Sequence, residues 1–327
     1  MLILSRSDIA QLLDVDAVID AVEAGHAALA EGSAVQAPRL TVQLPDSDGL
    51  LVPMIAANGL VTTAGAKILT DCPDNAVTGA PRQQSTILLI DGCTGRCEAL
   101  LDGAALTRVR TAAATAVATR HMSNPDSSTL GLIGAGALAR THIDAIRRVR
   151  PIKKVVLWAR RRSAADELAA ECAQLGVKAT AVSSAEDVVR TADVLCTLTP
   201  PPEPLVRGAW LRAGMHINAV GAPPRPGFRE LDSDAVARCR IVVDDRTVAL
   251  NESDTLLIPL RESRISEHQL ADELGDVITG AKPARRNPQD ITLFNSVGIG
   301  IQDLSAARLV VDAAREKGLG VDIDVTR

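Results

Sequence analysis

Apolar positions along the chain follow two different rhythms. Residues 16–30, DAVIDAVEAGHAALA, carry apolar side chains at helical spacing, and Gly32 follows as a C-cap. Strand-like runs come next, at 40–44, 50–55, 62–69 and 86–90. The last of these turns at Cys93-Thr-Gly-Arg and returns through 97–101, which predicts a hairpin. Residues 103–120 are Ala-rich and predict a helix. Strands joined by hairpins imply an antiparallel or mixed sheet.

The second rhythm begins after Asn124-Pro-Asp-Ser-Ser, a cluster of turn residues. Short apolar strands at 129–133, 154–159, 178–182, 192–198, 215–220 and 239–243 alternate with helical segments such as 137–148 and 163–174. That alternation predicts a parallel, doubly wound sheet. A run at 290–296, a helix at 300–317 and a short strand at 321–325 are expected to return to the first domain. The expectation is an α/β protein of two domains, with 126–303 doubly wound and 1–125 joined by 304–327 as an α+β domain.

Composition narrows the function by exclusion. The 327 residues are 46% hydrophobic and 23% charged, with a net charge of −5, which suits a globular protein with a sizeable core. Only Trp158, Trp210, Phe228 and Phe294 are aromatic, so neither stacking platforms nor a basic excess supports nucleic-acid binding. No run approaches the ~20 apolar residues of a membrane span, and the N-terminus lacks the pattern of a signal peptide. Six scattered Cys read as free thiols, and a cytoplasmic location is expected. His26, His121, His142, His216 and His268 share no ligand spacing, so no metal site is expected.

The first chemical signal is Gly131-Leu-Ile-Gly134-Ala-Gly136-Ala137-Leu138-Ala139, which follows a predicted strand and opens a predicted helix. This GxGxxA spacing is a variant of the Rossmann dinucleotide fingerprint. Gly134 permits the tight turn, Gly136 lets the backbone reach the pyrophosphate, and the helix start at Ala137 and Leu138 faces its charge. The second strand ends without the carboxylate that would take the 2′-hydroxyl of NAD, and Arg160-Arg161-Arg162-Ser163 follows instead. Guanidinium groups bind phosphate bidentately, so NADPH is expected over NADH, held by Arg160 and Arg161. Thr199, at the end of the fourth strand, and Val220 and Gly221, at the end of the fifth, are expected on the nicotinamide side.

The first domain contributes cations in apolar surroundings: Arg39, Lys67 and Arg110. A Lys between apolar neighbours in a strand is costly to bury without an anion. Together the three suggest a carboxylate-binding site. No His poised by a carboxylate is evident as a general acid. That combination fits reduction of a protonated imine, which already carries the proton and the charge that hydride transfer requires.

A series of short motifs runs along the chain: Ala37-Pro38-Arg39, Gly65-Ala-Lys67, Gly79-Ala80-Pro81-Arg82-Gln-Gln-Ser-Thr86, Asp91-x-x-Thr94-Gly95 and Leu106-Thr107-x-x-Arg110-Thr111-Ala112-Ala113. Gly134-x-Gly136, Glu230-Leu231-Asp232 and Thr292-Leu-Phe294-x-Ser296-Val-Gly298-x-x-Ile-Gln-Asp303 complete the series. In this order the motifs resemble the ornithine cyclodeaminase/mu-crystallin family over nearly the whole chain. The resemblance implies a Rossmann domain beside a substrate-binding and dimerisation domain, and a homodimer joined through its sheets. It implies that Arg39, Lys67 and Arg110 hold the substrate carboxylate, with Lys67 close to the reacting nitrogen as the catalytic residue. Thr86 matches a substrate-side hydroxyl, and Ser296 lies in a segment near the nicotinamide.

One departure bears on the subclass. Where cyclodeaminases carry an Asp soon after the fifth-strand Gly, this chain reads Gly221-Ala-Pro-Pro-Arg-Pro-Gly-Phe-Arg-Glu230. That form is similar to the ketimine-reductase branch. The expectation is an NADPH-dependent reductase of 2-imino acids such as Δ1-pyrroline-2-carboxylate or Δ1-piperideine-2-carboxylate. An amino-acid dehydrogenase acting on alanine or an N-linked adduct, a cyclodeaminase and a non-catalytic NADP(H)-binding protein remain open alternatives.

Overall fold

The computed structural model describes residues 1–174, 176–270 and 272–324. The chain divides into two compact units, one of residues 1–113 and 298–327 and the other of 114–297. The breaks fall at 113/114 and 297/298, where the sequence places them at 125/126 and 303/304. The first break lies inside a continuous buried helix, a place with no turn signal for composition to detect.

The first unit begins with β1 (Leu2–Leu4), α1 (Arg6–Leu12), α2 (Val15–Ala30), β2 (Ala34–Gln36) and β3 (Val42–Gln43). It continues through β4 (Leu50–Asn58), β5 (Thr63–Asp71), α3 (Asn75–Thr78), β6 (Gln83–Asp91), β7 (Cys97–Asp102) and α4 (Gly103–Met122), whose second half belongs to the other unit. The second unit holds β8 (Thr129–Ile133), α5 (Ala137–Val149), β9 (Lys154–Trp158), α6 (Arg162–Gln174), β10 (Lys178–Ala181), α7 (Ala185–Thr191) and β11 (Val194–Thr197). There follow β12 (His216–Ala219), α8 (Ser233–Ala237), β13 (Arg240–Val243), α9 (Arg246–Glu252), α10 (Asp254–Arg261), α11 (Leu274–Ile278) and β14 (Thr292–Asn295). The chain then returns to the first unit with α12 (Gly300–Lys317) and β15 (Val321–Asp322).

Among the described residues the first unit has an eight-stranded sheet in the order β15-β1-β7-β6-β5-β4-β2, with β3 also paired to β4. Its hairpins are antiparallel, but β1 runs parallel to β7, so the sheet is mixed. Met54, Lys67, Ile87 and Leu101 stand opposite one another in one row across β4 to β7, all on the buried face. Helix α12 packs on that face and against α2. The other face is open and carries Val35, Val42, Ile55 and Ile68, which are 64%, 42%, 49% and 40% exposed. The expected strand at 40–44 shortens to β3 because Pro45 and the left-handed Asp46 turn the chain away. Pro53 is tolerated inside β4 because it lies opposite the gap between the β2 and β3 pairings.

The second unit is a seven-stranded sheet, entirely parallel among the described residues, in the order β10-β9-β8-β11-β12-β14-β13. Its two faces bury separate apolar clusters, one around Ile217, Ile241 and Leu293 and the other around Leu132, Val155 and Leu157. The expected return of the 290–296 run to the first domain is not what is observed. Thr292–Asn295 inserts between β12 and β13, because Thr292, Leu293 and Phe294 are wholly buried and need sheet partners on both sides. Residue 325, which closes the expected 321–325 strand, lies outside the described residues, as do 326 and 327.

Candidate active site

The dinucleotide loop leaves the carboxyl end of β8, where the strand order reverses toward β11. Gly134 has φ +116°, and a Cβ there would lie 2.9 Å from the Thr199 side chain and 3.1 Å from the Leu198 carbonyl oxygen. At Gly136 a Cβ would meet nothing within 4 Å, so the space above the helix start is open. Gly136 is the N-cap of α5 and offers no side-chain cap, which leaves the N–H groups of Ala137 and Leu138 available to an anion. These residues fit a dinucleotide pyrophosphate. Beyond β9, Arg160 and Arg161 are exposed, whereas Arg162 is engaged by Asp166 at 3.0 Å.

The ends of β11 and β12 are organised by Glu230, which the sequence presents only as the first residue of the Glu230-Leu231-Asp232 piece. The Glu230 carboxylate is wholly buried and accepts from Thr199 N at 2.9 Å, Gly221 N at 2.8 Å, Val220 N at 3.1 Å and the Thr197 hydroxyl at 2.8 Å. Burial pushes its pKa up to about 7, against the pull of these hydrogen bonds. The expected cofactor residues Thr199, Val220 and Gly221 therefore have their backbone N–H groups committed to Glu230. They can shape a nicotinamide pocket through carbonyls and close packing, but not by donating those protons. At Gly221 a Cβ would sit 2.1 Å from Thr199 N, so only glycine lets the two strand ends approach this closely. Ser296 follows β14 and donates to Asp244 at 3.3 Å.

In the first unit Lys67 is 1% exposed, in the middle of an apolar row. Its ammonium lies 2.7 Å from Asp303 Oδ2, but off the line of a hydrogen bond, and both atoms keep unused hydrogen-bonding capacity. Arg110 donates Nε to the other oxygen of Asp303 at 2.8 Å and Nη1 to Gln302 Oε1 at 2.8 Å. Arg39 donates to the Gly298 carbonyl and is close enough to act on the Lys67 charge. Burial, followed by the charge of Arg110, lowers the Lys67 pKa to about 7, while Asp303 opposes the shift. Two buried cations, Lys67 and Arg110, thus share one carboxylate. Such an excess of buried positive charge calls for an anion.

The structure brings Arg39, Lys67 and Arg110 together as the sequence anticipates. It does not bring Thr86 to them. Thr86 pairs across β5 with Ile68, not Lys67, and is exposed on the open face of the sheet. Successive side chains in a strand alternate faces, so a one-residue offset separates the two. Asp303, Gln302 and His26 are the residues missed; Gln302 and Asp303 close the Gly298-x-x-Ile-Gln-Asp303 motif, but no spacing ties them to positions 67 and 110. His142 and His216 are buried core residues with pKa values lowered to about 4 and about 3, chiefly by burial. Among the described residues no group of His, Cys, Asp or Glu could hold a metal ion, and no helix is long and apolar enough to cross a membrane.

The sequence profile of the ornithine cyclodeaminase/mu-crystallin family matches residues 1–318. The ketimine reductase mu-crystallin of Mus musculus is 36% identical over 283 residues, 86% of each chain. The Δ1-pyrroline-2-carboxylate reductase of Thermococcus litoralis, solved with NADH and L-proline, superposes with a TM-score of 0.95 at 36% identity, covering 99% of this chain and 100% of that one. An archaeal alanine dehydrogenase dimer with bound NAD gives a TM-score of 0.94 at 32% identity, over 99% of both chains.

Proposed function

The chain belongs to the ornithine cyclodeaminase/mu-crystallin family and is an NAD(P)-dependent oxidoreductase acting on C–N bonds, and we propose that it reduces 2-imino acids to amino acids with NADPH. The observation that carries this reading is the buried pair of cations, Lys67 and Arg110, sharing the single carboxylate of Asp303. A substrate carboxylate supplies the missing negative charge, with Arg39 as a third ligand. A nicotinamide supplies the hydride. Lys67, with its pKa near 7, can hold or release a proton at the amino end of its side chain, next to the substrate it anchors. The T. litoralis relative binds L-proline, which is the product of reducing Δ1-pyrroline-2-carboxylate.

The test is NADPH oxidation with Δ1-pyrroline-2-carboxylate and Δ1-piperideine-2-carboxylate. Turnover of either supports the reading; no turnover, with ornithine converted to proline and ammonia, refutes it. The loop after β12 offers no free acid for cyclodeamination. It has no carboxylate before Glu230, whose oxygens are taken by backbone N–H groups. Alanine dehydrogenation is a second reading, favoured by the archaeal neighbour. NADP-dependent conversion of alanine to a 2-oxo acid and ammonia, without reduction of cyclic imines, would decide for it.

NADPH is proposed because Arg160 and Arg161 stand exposed at the end of β9 and no carboxylate occupies 159–163, although the two similar structures hold NADH and NAD. Replacing both with Ala should weaken NADPH by ~10²-fold or more and NADH by less than about threefold, as expected for lost charge-assisted phosphate contacts. Measured dissociation constants that move equally would refute the assignment. The open face carrying Val35, Val42, Ile55 and Ile68 suits a second copy of this chain, and the archaeal alanine dehydrogenase is a dimer. Light scattering should give twice the chain mass of 34.3 kDa; a monomer at micromolar concentration would count against a sheet-to-sheet homodimer.

A further inference from the structure

Arginine can only donate hydrogen bonds, so Arg110 Nη1 fixes which end of the Gln302 amide faces it: the oxygen. The amide nitrogen must then face His26 Nε2, 3.1 Å away, and that ring nitrogen must accept. His26 is consequently neutral, with its proton on Nδ1. Its burial, 1% exposed on α2, agrees, and holds its pKa down to about 4. The order of contacts is His26, Gln302, Arg110, Asp303, Lys67, with a charge only on the last three.

Asp303 occupies the first turn of α12, where the helix dipole favours a carboxylate. It uses one oxygen for each cation, so the distance between Lys67 and Arg110 is set by the width of a carboxylate. Behind them the chain leaves little freedom. Gly298 has φ +73°, and a Cβ there would lie 3.0 Å from Arg110 Nη1. Two like charges this close would otherwise separate.

We propose that Asp303 is a positioning residue, which sets the spacing of Lys67 and Arg110 for a substrate carboxylate, and that Gln302 and His26 are the uncharged support that keeps the Arg110 guanidinium in place. This rests on the reading that Lys67 and Arg110 bind the substrate carboxylate. The charged groups facing Lys67 are Arg110 from α4, Asp303 from α12 and Arg39 from the segment before β3. Of these only Asp303 favours the protonated ammonium.

Three variants test the proposal. Asp303→Asn preserves size and removes the charge, so the Lys67 side chain, followed by NMR, should titrate at least one pH unit lower than in the wild type. Asp303→Glu keeps the charge but lengthens the side chain. It should leave the Lys67 midpoint within about half a unit and raise KM for Δ1-pyrroline-2-carboxylate at least tenfold, with KM for NADPH within twofold. His26→Leu removes the acceptor of the Gln302 amide and should raise the imine KM at least fivefold, with kcat within twofold. An unchanged Lys67 midpoint in Asp303→Asn overturns the proposal, as does an unchanged imine KM in both other variants. If the wild-type protein reduces no imine but oxidises alanine, the imine reading fails alone, and the positioning role stands only if KM for alanine rises in Asp303→Glu and His26→Leu by the same factors.

Discussion

Lys67→Ala and Arg110→Ala should each abolish imine reduction, lowering kcat/KM at least ~10²-fold, while the dissociation constant for NADPH stays within about threefold. Removing one partner from a buried, hydrogen-bonded charge arrangement costs about 2–5 kcal/mol, which corresponds to this loss. Both variants should still fold, because Asp303 retains one cation in either case. The pH dependence has a definite sign. The Lys67 pKa is lowered to about 7, so in the free enzyme the ammonium is charged below that pH and neutral above it. The kcat/KM profile should therefore fall above about pH 7, since it reports the free enzyme's essential groups. Lys67→Arg, always charged, should lack that alkaline limb whatever its absolute rate. Wild-type turnover by either alanine variant would refute the anion site.

Glu230→Gln should be the most damaging change in the second unit. The groups that hydrogen-bond the carboxylate all donate to it: three backbone N–H groups and the hydroxyls of Thr197 and Thr199. An amide offers one acceptor oxygen and turns its NH2 toward donors on the other side, so a buried N–H is left unpaired. The expected loss is about 2–4 kcal/mol at pH 8 by urea denaturation, since each unpaired buried donor costs about 1–3 kcal/mol. NADPH affinity should fall with it, because Thr199 and Gly221 lose their common tether. The folded pKa is raised from 4.5 to about 7, so between those values the folded protein holds a proton that the unfolded chain has released. The contribution of Glu230 to stability is full below pH 4.5 and is lost as pH rises through 7. Glu230→Gln should show a flatter stability profile between pH 5 and 8 than the wild type. Equal stability at pH 8 would show that the tether does not matter.

Much of the architecture was legible along the chain. The βα alternation beyond residue 124 and the spacing of Gly134 and Gly136 placed the nucleotide-binding unit, because both are local signals, set by strand period, turn conformation and helix start. Arg39, Lys67 and Arg110 could be singled out because a cation among apolar neighbours is anomalous wherever it occurs. The placement of β14 between β12 and β13 was not legible, since the order of strands in a sheet depends on which buried faces find partners. Thr86 shows the same limit at a single residue, where register decided which face of the sheet it occupies.

The residues by themselves determined the cofactor loop, the cationic character of the proposed anion site and the family. Only the folded chain decided how the charges are balanced. Asp303 lies 193 positions from Arg110 and Glu230 lies 31 from Thr199, and periodicity cannot see across such separations. Both carboxylates look ordinary in sequence. Burial makes them organising residues, because away from water each must be matched by donors or cations, and those come from elements that meet only in the fold.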